Sequence, residues 1–439
     1  MTNKTFITLL FGLLVGTTFA QNLNTAKLDS LFQILESKDK FMGSIAVSEN
    51  GKILYTKSIG KEDFETNKQA TIATKYRIGS ISKMFTSCLV FKAIEENKLS
   101  LNQTIDKYFP TIENAKKITI GNLLNHRSGI HNFTNDENYL KYNTTPKSEK
   151  EMVEIITKGK SDFEPNSKAD YSNSNYVLLS YILEKTYKKT FKEILEIKIT
   201  KPLGLKNTYI GNKTSIQNNE CYSYSFDEKW EKETETDMSI PMGAGAVVSN
   251  PTDLVVFINN LFSNKIINEK SLEQMKTLQD NYGMGIFQVP FYDKKGFGHT
   301  GGIDGFGSVL SYFPDSKLAV ALTSNGMLYE NNNIMIAALS CYYGKSFAIP
   351  TFNAIQLKSE DLDKYLGEYS STELPLKIII TKDNSKLLAQ ATGQSAFPLD
   401  PTEKDKFEFL TAGIKLEFKP TENQMMLNQG GRKFTFTKK

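Results

Sequence analysis

Apolar positions in the first part of the chain follow two different periods. Between about 24 and 38 they recur every three or four residues, which predicts an amphipathic helix. The segments 44–48 and 53–57 are short apolar runs typical of strands, and the Asn50-Gly51 pair between them favours a tight β-hairpin turn. The chain is therefore expected to open with a helix followed by a two-stranded hairpin.

Helical spacing returns at about 80–97 and predominates, with loops, over about 98–235. Strand signals then resume, and a further helix is expected at 333–343. The strand segments are 243–248, 307–313 and 318–323. Because sheet-forming segments bracket a helical insert rather than alternate with helices, the pattern predicts an α+β fold.

The pattern changes again near the C-terminus. Pro350 and the polar residues after it mark the predicted end of the main domain, 21–350, and 351–439 is predicted to be a small β-rich domain. Its expected strands are short and separated by turn residues. They are 376–380, 387–390, 407–409, 414–418 and 433–436. This second domain carries no motif that points to chemistry.

The first twenty residues predict a cleavable export signal. Lys4 precedes an apolar run over 6–15, and Thr18-Phe19-Ala20 supplies small residues for cleavage before Gln21. The run is short for a membrane span, and no later stretch is long and apolar enough to be one. The mature protein is therefore expected in the periplasm or outside the cell.

Composition excludes several classes of partner. The chain has 53 basic and 49 acidic residues and a formal net charge of +4, so neither nucleic acid nor an anionic membrane surface is indicated. Three widely spaced cysteines make no disulfide framework. His126, His131 and His299 have no carboxylate or cysteine cluster beside them, so no metal or other cofactor is expected. The sequence indicates no particular oligomeric state.

Ser80 and Lys83 form the first candidate for chemistry. A serine hydroxyl needs a base within hydrogen-bond reach, and a lysine three residues later on a helix lies on the same face. The start of a helix also offers N–H groups that stabilise negative charge. The same Ser-x-x-Lys spacing occurs at Ser37 and Ser58, but only Ser80 stands at the start of a long apolar helix.

A second candidate is the triplet 171–173, which lies in a loop just before a predicted helix. A Tyr171 phenolate near a lysine ammonium can relay a serine proton, and Asn173 can hold an amide carbonyl. On its own this triplet is typical of a turn or helix cap. The third candidate is His299-Thr300-Gly301-Gly302, whose glycines indicate backbone brought close to a ligand or a flexible hairpin.

Together these elements resemble the class C β-lactamase and penicillin-binding protein superfamily. The shared order is Ser-x-x-Lys, then Tyr-x-Asn, then a Lys- or His-Thr-Gly triplet. Class A β-lactamases have a related set in which Ser-Asp-Asn is the middle motif. The resemblance extends over about 25–345 and includes several surrounding phrases. Those phrases are 76–85, 118–129, 202–205 and 243–254. It implies an antiparallel sheet flanked by helices, with a mainly helical subdomain at about 98–235.

The resemblance also implies roles for the catalytic residues. Ser80 would form the acyl-enzyme, with Lys83 and Tyr171 sharing the role of general base. The backbone N–H groups of Ser80 and Gly302 would form the oxyanion hole.

The remaining candidates would contact a small-molecule or short-peptide substrate. Asn173 would orient its amide, and His299 would line the wall that faces it, with Thr300 and Gly301 beside it on the same segment. β-Lactamases of the superfamily carry lysine where this chain has His299, and histidine there is similar to its esterases and D-aminopeptidases. A mostly neutral imidazole attracts a substrate carboxylate less than an ammonium does.

The leading hypothesis is therefore an exported serine hydrolase acting on small esters, amides or D-amino-acid peptides. A β-lactamase or D-alanyl-D-alanine carboxypeptidase is the first alternative. A non-catalytic sensor or binding protein with this fold is the second, against which the presence of Ser80, Lys83, Tyr171 and Asn173 argues.

Overall fold

The computed structural model describes residues 23–227, 229–352, 357–409, 412–429 and 432–439. The predicted export signal, 1–20, and its cleavage site lie outside these residues. The α-helices of the described chain follow. They are α1 (Thr25–Ser37), α2 (Ser82–Glu95), α3 (Ile120–Leu124), α4 (Tyr139–Tyr142), α5 (Glu149–Lys158), α6 (Asn173–Tyr187), α7 (Phe191–Leu195), α8 (Lys201–Leu203), α9 (Met242–Gly245), α10 (Pro251–Phe262), α11 (Glu269–Lys276) and α12 (Asn331–Tyr343).

Within the described ranges, the strands form one large sheet, three small ones and a barrel. Those before the barrel are β1 (Phe41–Glu49), β2 (Lys52–Ile59), β3 (Lys61–Asp63), β4 (Lys68–Gln69), β5 (Tyr76–Arg77), β6 (Tyr209–Ile210), β7 (Tyr224–Phe226), β8 (Trp230–Lys232), β9 (Val247–Ser249), β10 (Phe287–Phe291), β11 (Lys294–Ile303), β12 (Phe306–Phe313) and β13 (Leu318–Met327).

The large sheet has six antiparallel strands in the order β10-β11-β12-β13-β1-β2. Its hairpin between β1 and β2 turns at Asn50 and Gly51, whose φ angles of +50° and +78° are those of the predicted tight turn. Nine of the ten residues of the central strand β13 are buried, because helices cover both faces of the sheet.

Two hydrophobic cores lie on opposite faces of that sheet. On one face, Val320 and Leu322 of β13 pack with residues of α1 and α12. On the other, Ala319 and Ala321 pack with α2, α6 and α10. The alternation of side chains along β13 thus joins the sheet to both helical layers. The predicted α+β fold, with a sheet flanked by helices and a mainly helical insert, is confirmed.

One predicted strand is largely wrong. The segment 243–248 was expected to be extended, but Met242–Gly245 form the helical turn α9 and only the residues from Val247 onward pair as a strand. The reason is close packing: a Cβ added to Gly243 would lie 2.7 Å from the carbonyl oxygen of Tyr176. The glycines let this turn press against α6.

The C-terminal part is a closed antiparallel barrel around its own core. Pairing of Tyr369 with Lys438 joins its first and last strands and so closes it. The strands are β14 (Gly367–Ser370), β15 (Lys377–Asp383), β16 (Lys386–Ala391), β17 (Phe397–Glu403), β18 (Lys406–Phe409), β19 (Ile414–Lys419), β20 (Gln424–Gln429) and β21 (Arg432–Lys438). The predicted all-β character is confirmed, while β14, β17 and β20 were not foreseen.

Among the helices of the described residues, none combines the length and apolar character needed to cross a bilayer.

Candidate active site

Ser80 lies on a tight turn between β5 and α2. The turn Gly79–Ile81 is a short 3₁₀ helix that runs directly into α2, so Ser80 stands just before the long helix rather than within it. Gly79 has a φ of +49°, a conformation that side-chain-bearing residues rarely adopt. Lys83 follows in the first turn of α2, and its side chain is 0% exposed.

The amine of Lys83 meets three oxygen atoms. Its Nζ lies 3.0 Å from Ser80 Oγ, 2.8 Å from Asn173 Oδ1 and 2.8 Å from the carbonyl oxygen of Ala244. Burial lowers the pKa of Lys83 well below its usual value, which favours the neutral amine. A neutral amine donates its two hydrogens to the two carbonyl oxygens, so its lone pair is left to accept from the Ser80 hydroxyl.

Tyr171 lies on the other side of the same serine. Its hydroxyl donates to Ser80 Oγ over 2.8 Å. Burial raises the pKa of Tyr171, so the phenol keeps its hydrogen at neutral pH. Ser80 Oγ therefore accepts from Tyr171 and donates to Lys83. The tyrosinate suggested by the sequence is not the resting form in this arrangement.

Asn173 is the first residue of α6. While its Oδ1 accepts from Lys83, its Nδ2 donates to Thr134 Oγ1 over 3.1 Å, and its backbone N–H donates to Asn132 Oδ1 over 3.0 Å. Asn132 and Thr134 thus fix the orientation of Asn173. Neither residue stands out in the sequence, because the segment around them has no periodic pattern of apolar positions.

The glycines of β11 bring two backbone segments together. A Cβ added to Gly301 would lie 2.1 Å from the carbonyl oxygen of Ile78 and 3.0 Å from Ser80 N, and one added to Gly79 would lie 2.8 Å from Gly302 N. The N–H groups of Ser80 and Gly302 are thus in neighbouring segments beside Ser80 Oγ. This is the arrangement that an oxyanion hole requires.

Strand β11 also has an unpaired edge beside this site. Within the described residues, β10 pairs with β11 only as far as Gly298, so His299–Ile303 has a neighbouring strand on the β12 side alone. An unpaired edge offers backbone N–H and C=O groups to a ligand.

His299 departs from its expected place on the substrate wall. Its imidazole is 3% exposed and packs against Phe287, with ring centroids 4.4 Å apart, while the ring of Tyr171 is 6.4 Å away. Burial lowers the pKa of His299 to about 3, so the ring is neutral. The aromatic enclosure is the reason that His299 faces Tyr171 rather than the cleft.

Thr300 also lies away from Ser80. Side chains alternate along a strand, and Gly301 is the position that faces Ser80, so Thr300 points to the opposite face. There it lines a separate groove of about 210 Å³ with residues that include Gln288 and Asn332.

His126 and His131 have different partners. The buried His126 accepts the Ser172 N–H at Nδ1 over 3.2 Å, and its ring lies 4.5 Å from that of Tyr171. Burial lowers the pKa of His126 well below its usual value. His131 instead contacts Asp162 and Asp136, which raise its pKa. His126 therefore supports the ring of Tyr171, whereas His131 joins two surface loops.

Ser80, Asn173 and Gly302 line one cleft of about 400 Å³. Its other walls include Leu140 of α4, which is 78% exposed, and the acidic residues Glu233 and Asp304. These wall residues were not predicted from sequence, since they come from separate segments that only the folded chain brings together.

Comparison with known proteins extends these observations. A family model described as Beta-lactamase matches residues 33–339. Teichoic acid D-alanine hydrolase of Staphylococcus aureus (strain MRSA252) is 29% identical over 304 residues, which cover 67% of this chain and 72% of that protein.

Solved structures share the fold. The D-amino acid amidase from Ochrobactrum anthropi SV3, complexed with L-phenylalanine amide, has a TM-score of 0.64 at 24% identity and covers 72% of this chain and 99% of its own. The octameric penicillin-binding protein homologue from Pyrococcus abyssi has a TM-score of 0.68 at 24% identity, over 94% of this chain and 100% of its own.

Proposed function

The chain belongs to the Beta-lactamase family, and we propose that it is an exported serine hydrolase that cleaves D-amino-acid esters, amides or short peptides through an acyl-enzyme on Ser80. The hydrogen-bonded set of Ser80, Lys83 and Tyr171 carries this proposal, because it supplies a nucleophile, a base and an acid within 3.0 Å of one oxygen atom. The names of the D-alanine hydrolase and D-amino acid amidase relatives support the substrate class.

In the proposed acylation step, Ser80 Oγ attacks the substrate carbonyl carbon while its proton passes to Lys83 Nζ. The carbonyl oxygen becomes an oxyanion, which the N–H groups of Ser80 and Gly302 stabilise. The bond to the leaving group then breaks, and the leaving atom takes the hydrogen of Tyr171. The proton on Lys83 restores the phenol of Tyr171, so the serine proton has moved to the leaving group.

Deacylation repeats these steps with water as nucleophile. Water gives a proton to the basic pair of Lys83 and Tyr171 as its oxygen attacks the ester carbonyl of the acyl-enzyme. The pair returns that proton to Ser80 Oγ when the ester bond breaks, and the free acid leaves.

The electrostatics of the site favour these substrates over β-lactams. A β-lactam or a D-alanyl-D-alanine peptide carries a carboxylate, which a cation would attract. His299 is neutral where β-lactamases of the family have lysine, and among the described residues that line the cleft there is no lysine or arginine. The β-lactamase and carboxypeptidase alternatives therefore lack a partner for the substrate carboxylate.

The test is hydrolysis of D-alanine p-nitroanilide and a D-alanyl ester by the wild type and the Ser80→Ala variant. We expect loss of at least about 10³-fold in kcat for the variant, since the nucleophile is gone. Ser37→Ala is a matched control, because Ser37 has the same Ser-x-x-Lys spacing but lies at the end of α1. Mass spectrometry of a trapped acyl-enzyme should place the added mass on Ser80. Full activity of Ser80→Ala would overturn the proposal.

Export is tested separately. Cell fractionation should recover the protein outside the cytoplasm, and N-terminal sequencing should read from Gln21. A protein that retains Met1 and stays in the cytoplasm would refute this part of the proposal.

A further inference from the structure

Glu233 is held at the mouth of the catalytic cleft by contacts of its backbone and neighbours. Its N–H donates to the carbonyl oxygen of Ser223 over 2.9 Å. Three residues later, Thr236 donates to Asp304 from its N–H and its hydroxyl. A Cβ added to Gly305 would lie 3.1 Å from Glu233 Cγ, so the carboxylate stem packs on the turn that follows the oxyanion strand. Glu233 therefore has a defined position on the wall of the cleft that Ser80 also lines.

The carboxylate of Glu233 differs from its neighbours in having no partner among the described residues. Glu231 is 3.9 Å from Lys229, and Glu235 is 2.6 Å from Arg77. Glu233 makes no ion pair or side-chain hydrogen bond within the same part of the chain, although it is half-buried and lines the cleft. Its charge is thus available to a ligand.

The charges around the cleft add to that of Glu233. Asp304, the other acidic residue of the lining, is paired with the buried Arg77 at 3.0 Å. Arg77 is also paired with Glu235. One arginine and two carboxylates, those of Asp304 and Glu235, together carry one net negative charge. The cleft is consequently electronegative at the end where Glu233 lies, which favours a cationic group and repels a carboxylate.

From this arrangement we infer that Glu233 binds the ammonium group of the acyl donor and selects aminoacyl esters and amides over uncharged acyl compounds. The inference rests on the proposed hydrolase function and names a specificity residue for it. An ammonium offers three hydrogens, and a charge-assisted hydrogen bond to a carboxylate is about twice as strong as a neutral one. Glu233 contacts the substrate and takes no part in proton transfer.

The experiment compares two substrates that differ only in the ammonium: D-alanine p-nitroanilide and propionyl p-nitroanilide. In Glu233→Gln we expect KM for the D-alanyl compound to rise at least about tenfold, with kcat changed little, because an ion pair in the ground state and the transition state is lost. Hydrolysis of the propionyl compound should stay the same. Glu231→Gln, at the exposed position two residues earlier, should change neither substrate.

Binding without turnover separates this inference from the proposed function. In the Ser80→Ala background, calorimetry should detect D-alaninamide but not propionamide, and the added Glu233→Gln change should abolish the difference. Equal binding of the two amides, or an equal effect of Glu233→Gln on both anilides, would overturn the role of Glu233. If the wild type binds D-alaninamide but cleaves neither anilide nor ester, the proposed hydrolysis fails while the ammonium site stands.

Discussion

Tyr171 donates its phenolic hydrogen to Ser80 Oγ over 2.8 Å, from a position in which burial raises the pKa of the phenol. The nucleophile therefore receives a hydrogen bond from one side and gives one to Lys83 on the other. In the proposed mechanism, this polarity gives the base and the acid to different residues: Lys83 would take the serine proton, and Tyr171 would protonate the leaving group.

Tyr171→Phe tests the assignment of the acid. The variant keeps the ring that packs on His126 and loses only the hydroxyl, so we expect a normal fold and a fall in kcat of about 10² to 10⁴-fold for D-alanine p-nitroanilide. A p-nitrophenyl ester should lose much less in acylation, since nitrophenolate leaves without a proton. Equal losses for the two substrates in single-turnover kinetics would contradict the role of Tyr171 as acid.

Gly301→Ala and Gly302→Ala form a matched pair for the oxyanion hole. A Cβ at Gly301 would meet the Ile78 carbonyl at 2.1 Å, whereas the nearest atom to one at Gly302 is 3.9 Å away. We expect Gly301→Ala to lower kcat by at least about 10²-fold, because Ser80 and β11 must move apart. Gly302→Ala should keep most of the activity. Comparable kcat values for the two variants would show that the close approach of β11 to the segment around Ser80 does not contribute to catalysis.

His299→Lys tests the electrostatic argument against β-lactams. A lysine side chain is longer than the imidazole and can carry its ammonium past the rings that enclose His299, so this variant should raise the rate of acylation by a fluorescent penicillin by about tenfold or more, because the ammonium attracts the carboxylate. His299→Gln is the neutral control, and it should acylate as slowly as the wild type. The pKa of about 3 at His299 predicts no contribution of this imidazole to the penicillin rate between pH 5 and 8. A lysine variant no faster than the glutamine variant would refute the argument.

Acid should destabilise the fold through two buried histidines. The pKa of His299 is about 3 in the fold and that of His126 is also lowered, against an ordinary 6.5, so the unfolded chain binds protons that the folded chain does not. Through His299 the free energy of unfolding should fall by about 1.4 kcal/mol per pH unit as pH drops from about 6.5 towards 3, and His126 should add to this fall in the same direction.

Urea denaturation of the wild type and His299→Gln at pH 7, 6 and 5 measures this effect. In the variant, the free energy of unfolding should fall less steeply with decreasing pH, because the contribution of one histidine is missing. His131 works in the opposite sense, because its carboxylate partners raise its pKa: its stabilising contribution is complete below about 6.5 and is lost as pH rises above that value, so His131→Gln should change the slope near pH 7 and leave the slope between pH 6 and 5 unchanged. An unchanged slope in His299→Gln would show that its imidazole is not held neutral.

A helix start and a spacing of three residues selected Ser80 and Lys83 among three Ser-x-x-Lys matches, but the ordered motifs around them were needed to give the pair a catalytic role. Tyr171 and Asn173 became candidates only through the ordered motifs around them. Asn132, Thr134 and Glu233 carry no such signal, since tertiary contacts alone set the path of their loops. Their roles follow from distances between segments that are far apart in the chain.

The errors at β11 and in the barrel have different physical causes. The period of two along a strand places His299 and Thr300 on opposite faces, so they could not both face the substrate. In the barrel, β17 contains Pro398 and Pro401, which argue against a strand in sequence; Pro401 lies at the register shift between β17 and β18, whereas Pro398 pairs with Leu388 of β16. Helix and hairpin signals near the N-terminus were more reliable because they depend on adjacent residues.

The unpaired edge of β11 at His299–Ile303 has a consequence for how this enzyme can change. A substrate bound there contacts backbone N–H and C=O groups, which are the same in every sequence. These contacts therefore do not depend on which amino acids the strand carries. Substitutions in the surrounding loops can then exchange one preferred compound for another while the reaction itself is preserved. The range of substrates can therefore diverge without a loss of catalysis.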